Sequence, residues 1–116
     1  MNTYLLLLHE QIDVVQNLSP KEMEELVRSH MEWAKKLESE GLLLAGDGLE
    51  NKGVKISGKE SIVKDSMFLE TKEMIGGFYL IQAGSFEEAV ELSKSCPCHQ
   101  WGGVTEVRPI ANYESE

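Results

Sequence analysis

Six side chains in this chain of 116 residues have types and settings suited to chemistry. His30 comes first. An imidazole with an ordinary pKa of about 6.5 exchanges protons near neutral pH, and a neighbouring carboxylate would hold it poised for that work. Glu10 stands at the end of the first apolar run and would orient or charge the ring if the His30 segment packs over that end. Asp65, Glu70 and Lys72 form a second group just ahead of Gly76-Gly77. There Lys72 would receive an anionic ligand, with Asp65 or Glu70 as a base. Arg108 is a further contact for a carboxylate, reached across a dimer. Each has a plainer alternative. His30 can be a half-buried ring that fills the core and bonds a backbone carbonyl. The charges at 65–72 can be a turn cap and a surface ion pair worth about 0–1 kcal/mol. Arg108 can simply pair with Glu106.

Other chemistry finds little footing. Gly76-Gly77 and Gly102-Gly103 match neither G-x-G-x-x-G nor a P-loop, and no serine sits in G-x-S-x-G, so the glycine pairs read as backbone bends. Cys96 and Cys98 flank Pro97, and a bridge between such near neighbours would be strained. Cys96-Pro97-Cys98-His99 hints at a metal, but zinc wants four ligands and no second Cys/His cluster exists. Free, reduced thiols are expected, with no metal and no cofactor. Met23, Met31, Trp33 and Trp101 read as packing.

The elements that must position these groups follow from pattern. Residues 3–8 are a continuous apolar run and predict a buried strand, with a loop over 11–18. Ser19-Pro20-Lys21-Glu22 is a helix start, with Ser19 as N-cap, Pro20 in the first turn and Glu22 completing a capping box. The helix runs to about Glu40 and stops at Gly41. Met23, Leu26, Val27, His30, Ala34 and Leu37 share one face, which puts His30 on the apolar stripe. Residues 42–45 predict a second strand and Gly46-Asp47-Gly48 a turn. A peripheral hairpin covers 54–57 and 61–64. Phe78, Tyr79, Leu80 and Ile81 are the most strand-like run. Ser85 and Glu88 repeat the capping box for a short helix, residues 99–103 form a loop, and 104–110 make the last strand. One domain spans 1–110, and 111–116 is a polar tail.

The order is β-α-β, hairpin, β-α-β: a ferredoxin-like α+β split βαβ fold with a β-hairpin insertion. Two helices cover one face of such a sheet. The bare face predicts a homodimer with two-fold symmetry. Eleven basic against twenty acidic residues give a net charge of −9, which argues against nucleic acid and anionic membrane as partners. The longest apolar run is too short to span a bilayer. With no basic n-region or small-residue cleavage site at the N-terminus, a cytoplasmic location is expected.

Residues 65–73, reading DSMFLETKE, then Gly76-Gly77-Phe78-Tyr79-Leu80-Ile81, resemble the signature of the YCII-related family, in its DGPF-domain branch. Ser66-Met67 stands where that branch has Gly-Pro. The likeness continues through Ser85-Phe86-Glu87-Glu88-Ala89, Cys96-Pro97 and Glu106-Val107-Arg108-Pro109-Ile110, and at the front through Leu18-Ser19-Pro20 and Gly46-Asp47-Gly48-Leu49. The resemblance implies a dimeric α+β barrel. It also implies a His in the first helix and a carboxylate after the first strand that face a pocket, and His30 and Glu10 match those places. Glu10 is a Glu where the family has Asp. Acid–base chemistry on a small organic molecule is one implied role. A non-catalytic ligand-binding or regulatory module, associated with alternative sigma factors, is the other.

Overall fold

The computed structural model describes residues 1–65 and 73–112. Its frame is set by alternation along β1 (Asn2–Gln11), where Tyr4, Leu6 and Leu8 are buried and Leu5 and Leu7 between them half-buried. The elements that follow are α1 (Ile12–Gln16), α2 (Pro20–Ser39), β2 (Leu43–Gly48), β3 (Val54–Ser57), β4 (Ile62–Asp65), β5 (Glu73–Ala83), α3 (Phe86–Ser93), a 3-10 helix (Pro97–Trp101) and β6 (Val104–Pro109). Four strands form one antiparallel sheet in the order β2-β5-β1-β6, the ferredoxin-like arrangement. The α+β class expected from the sequence is the class observed. Among the described residues no helix is long and apolar enough to cross a membrane.

The helices α2 and α3 pack on one face of this sheet. Tyr4, Leu6, Leu8, Tyr79, Ile81 and Ala83 from the strands meet Trp33 and Leu37 of α2 and Ala89 of α3 in a single core. The start of α2 matches its sequence signal. The Glu22 amide donates to Ser19 Oγ at 3.1 Å and the Ser19 amide to Glu22 Oε1 at 2.9 Å. At α3 the box is altered: Glu88 N–H donates to Ser85 Oγ, while the Glu88 carboxylate accepts from Gly84.

Four expectations need correction. β1 runs on to Gln11 and straight into α1, where a loop was expected; five residues are too few to display a 3.6-residue period. Gly46, Asp47 and Gly48 are not a turn but the end of β2, paired with Tyr79, Phe78 and Gly77. Gly46 is there for close approach, since a Cβ would lie 2.6 Å from Tyr79 Cδ1. Part of the expected loop at 99–103 belongs to the 3-10 helix. Finally, the buried stripe of α2 is displaced: Trp33 is buried, whereas Met23 and Val27 are exposed. The hairpin stands as expected. β3 and β4 form their own two-stranded sheet, with every residue exposed.

Candidate functional site

The glycines of the sheet explain why the first half of α2 is not sealed. Gly46, Gly48, Gly76 and Gly77 present no side chains beneath it, and a cavity of about 350 Å³ remains. Leu26, Val27, His30, Met31 and Ala34 roof it, and Leu8, Glu10 and Tyr79 complete the floor. The volume and apolar lining suit a small organic molecule.

His30 enters from the middle of α2. Its Nδ1 lies 2.9 Å from the Tyr79 hydroxyl, and the two rings stack with centroids 6.1 Å apart. Burial lowers the pKa of His30, so the neutral imidazole is the favoured form. Burial also raises that of Tyr79, with the neighbouring Cys96 and Cys98 adding to the effect, so the phenol keeps its proton. Tyr79 is itself held edge-on by Trp33, at 5.0 Å between centroids and 74°. The Trp33 indole N–H donates to Ser95 Oγ at 2.9 Å. Ser95, Trp33 and Tyr79 thus form a continuous series of contacts ending on the imidazole.

Glu10 reaches the cavity because of a bulge. Leu8 pairs with Gly77 and His9 with Ile75, so Gly76 is the extra residue on β5. A Cβ at Gly76 would collide with the Glu10 carboxylate, so the missing side chain leaves that group its seat. Burial raises the pKa of Glu10 and favours its neutral form. Behind it, a cavity of about 10 Å³ is lined by Glu10, His30, Cys98 and Trp101. The Trp101 indole N–H is buried without a hydrogen-bond partner among the described residues.

The other candidates fare differently. Asp65 ends β4, across from Val54, and Arg108 lies two-thirds exposed on β6, 4.0 Å from Glu106. Neither lines the cavity. Glu70 and Lys72 lie outside the described residues. Cys96 and Cys98 are free and buried, and burial pushes their thiols up to about 11 and about 12, far from thiolate character. Among the described residues no three His, Cys, Asp or Glu side chains are placed to hold a metal. Sequence reasoning took Tyr79 only as a strand aromatic. Period-two alternation from the buried Ile81 could have placed it on the helix side, facing His30.

The sequence model of the YCII-related domain matches residues 3–114. An uncharacterized protein of Rhizobium meliloti (strain 1021) is 42% identical over 59 residues, which are 50% of this chain and 48% of that protein. The match thus spans about half the length of that relative. A solved structure, the 5-chloro-2-hydroxyhydroquinone dehydrochlorinase from Burkholderia phenoliruptrix AC1100 in complex with 2,5-dihydroxybenzoquinone, is 16% identical with a TM-score of 0.44. That alignment covers 88% of this chain and 90% of the other.

Proposed function

The chain belongs to the YCII-related family, and from that premise we propose that the cavity beneath α2 binds a small organic molecule and moves a proton on it. His30 is the acid–base group and Glu10 assists. The contact between His30 Nδ1 and the Tyr79 hydroxyl carries this reading. A phenol both donates and accepts, so it can satisfy the ring in either tautomer. When Nδ1–H donates to the Tyr79 oxygen, Nε2 is left as the acceptor that abstracts a proton. The imidazolium so formed returns that proton from Nε2–H while Nδ1–H still donates to Tyr79, so the phenol keeps its own proton throughout. The lowered pKa keeps the ring neutral and competent at pH 7.

The lining also bears on the ligand. Among the described residues Glu10 is the one carboxyl group on the cavity's side of the sheet, Asp47 being paired with Phe78 on the opposite face, and no lysine or arginine lines it. An anion there would meet no lysine or arginine among the described residues, which favours an uncharged ligand of the phenol or enol kind. Arg108 and Asp65 have no part in this reading.

The same reading includes a homodimer. Leu5, Leu7, Phe78 and Leu80 occupy the sheet face away from the helices, and Ile75 and Val104 beside them are about half exposed. Covering that face with a second copy removes an apolar patch from water.

The test is a panel of uncharged phenols and enols, scored by thermal shift and then by turnover in wild type and His30→Gln. Wild type should be stabilised and turn over a member of the panel, and His30→Gln should bind it without turnover. Equal turnover by His30→Gln, or stabilisation by organic anions alone, would sink the proposal. Binding without turnover in wild type would favour the non-catalytic ligand-binding module instead.

A further inference from the structure

The 3-10 helix carries a polar group that the acid–base reading leaves unused. Pro97 opens this helix and Gly102, left-handed at φ 78°, closes it. The Gly103 amide then donates to the Cys98 carbonyl at 3.1 Å, and Cys98, Trp101 and Gly103 together wall the small recess behind Glu10 and His30. The Trp101 indole N–H is buried there with no hydrogen-bond partner among the described residues. A donor left in that state costs about 1–3 kcal/mol. Glu10 has the converse need, since its carboxylate form calls for a donor. Among the described residues neither the cavity nor the recess offers a lysine or arginine. After burial and the neighbouring Cys96, the Glu10 charge adds to the raised pKa of the Cys98 thiol, so the carboxyl lies near the 3-10 helix. The recess measures about 10 Å³, the room that one water molecule takes.

We propose that a single ordered water in this recess links the Trp101 N–H to the Glu10 carboxyl, and that Trp101 is thereby the positioning residue for Glu10. The Cys98 thiol is a third polar neighbour, which gives the water the roughly two to four partners that hold such a molecule. The inference rests on the role given to Glu10 above and supplies what that role lacks. A water donates to a carboxylate and accepts from a carboxylic acid, so it serves Glu10 in both states while the indole N–H keeps its partner throughout. Held in this way, the ionised carboxylate offsets the charge of the imidazolium that forms on His30. Replacing the indole by an apolar ring removes the donor at the far end of the link and favours the protonated acid.

The test needs neither ligand nor turnover. Two tryptophans give two indole N–H signals in ¹⁵N-labelled protein. Trp101→Phe identifies one, and Ser95→Ala marks the other, because Trp33 donates to Ser95. In wild type the Trp101 signal should show a rotating-frame Overhauser contact with a long-lived water, and should shift with pH in step with the Glu10 carboxyl carbon. Glu10, His30 and Cys98 face the recess, and Tyr79 lies behind His30. Cys98, at about 12, and Tyr79, raised further still by burial, keep their protons over the range titrated. Glu10→Gln should therefore abolish the shift, and His30→Gln should preserve it. Trp101→Phe should make Glu10 hold its proton about three- to tenfold more tightly. The wild-type signals decide the matter even where that variant loosens the fold. A Trp101 signal that ignores pH, or that follows His30 instead, overturns the positioning role, as does a Glu10 titration unmoved in folded Trp101→Phe. A signal that follows Glu10 without any water contact overturns the link, since the indole would then meet the carboxyl directly. Full turnover by His30→Gln would sink the acid–base reading and move none of these signals, so the two fail separately.

Discussion

Gly76→Ala is the most telling substitution, because its effect hangs on one other residue. The added methyl would occupy the seat of the Glu10 carboxylate. Gly76 is not among the glycines with positive φ, so alanine adopts its backbone without strain. Away from any clash, such a change stabilises by roughly 0.4–1 kcal/mol through the unfolded chain. With Glu10 present the carboxylate must swing aside, and an off-rotamer side chain costs about 0.5–1.5 kcal/mol. The net effect in the parent should lie between a gain of about 0.5 and a loss of about 1 kcal/mol. In a Glu10→Ala background the clash is absent and the same change should stabilise. The double-mutant cycle should then give a coupling of roughly 0.5–1.5 kcal/mol. Urea unfolding of the four proteins, followed by fluorescence and circular dichroism together, measures it. Gly76→Ala should also let the pKa of Glu10 fall toward the ordinary carboxylate value as the group moves to solvent, which a ¹³C NMR titration follows. A coupling below about 0.3 kcal/mol, the usual error of additivity, would mean that the carboxylate does not sit over Gly76, and the account of the bulge would fail.

Three further outcomes are expected. Tyr79→Phe should cost about 0.5–1.5 kcal/mol for the lost hydrogen bond to His30, and should lower any turnover, because Nδ1–H then lacks the acceptor that keeps Nε2 free as the base. Stability should depend on pH in two opposed ways. Glu10 has a folded pKa above its unfolded value of 4.5, so it favours the fold below 4.5 and loses that contribution as pH rises through the folded value. Glu10→Gln should therefore be more stable relative to wild type at pH 7 than at pH 4. His30 has a folded pKa below 6.5, so its contribution is present above 6.5 and fades as pH falls, and His30→Gln should flatten that part of a urea-midpoint profile. Ser19→Ala should cost about 1 kcal/mol by removing the cap of α2, read by thermal unfolding, and should leave the His30 titration unchanged.

Local chemistry was legible in the sequence, and distant contacts were not. Ser19, Pro20 and Glu22 announce the start of α2 because all their partners lie within three residues. Val54 to Asp65 announces a hairpin by alternation alone. Gly46 and Gly48 mislead, because a glycine that admits a neighbour's ring looks the same in sequence as one that turns the chain. The candidate site divides along the same line. His30 could be placed on an apolar stripe by helical period, and the resemblance supplied Glu10. Tyr79 as the partner of His30 required a contact across 49 positions, which no local pattern encodes. Asp65 and Arg108 drew notice for their charge, and charge type says nothing about which face of a sheet or hairpin a residue occupies.

The edge-on contact of Trp33 with Tyr79 equips the protein with its own optical probe. Only two indoles are present, and Trp33 touches the phenol that grips His30. Replacing Trp101 with phenylalanine would leave a single emitter there, so an occupant that shifts Tyr79 would announce itself as a change in emission. Compounds could then be surveyed by titration in a cuvette, with no label attached and before any substrate has been identified.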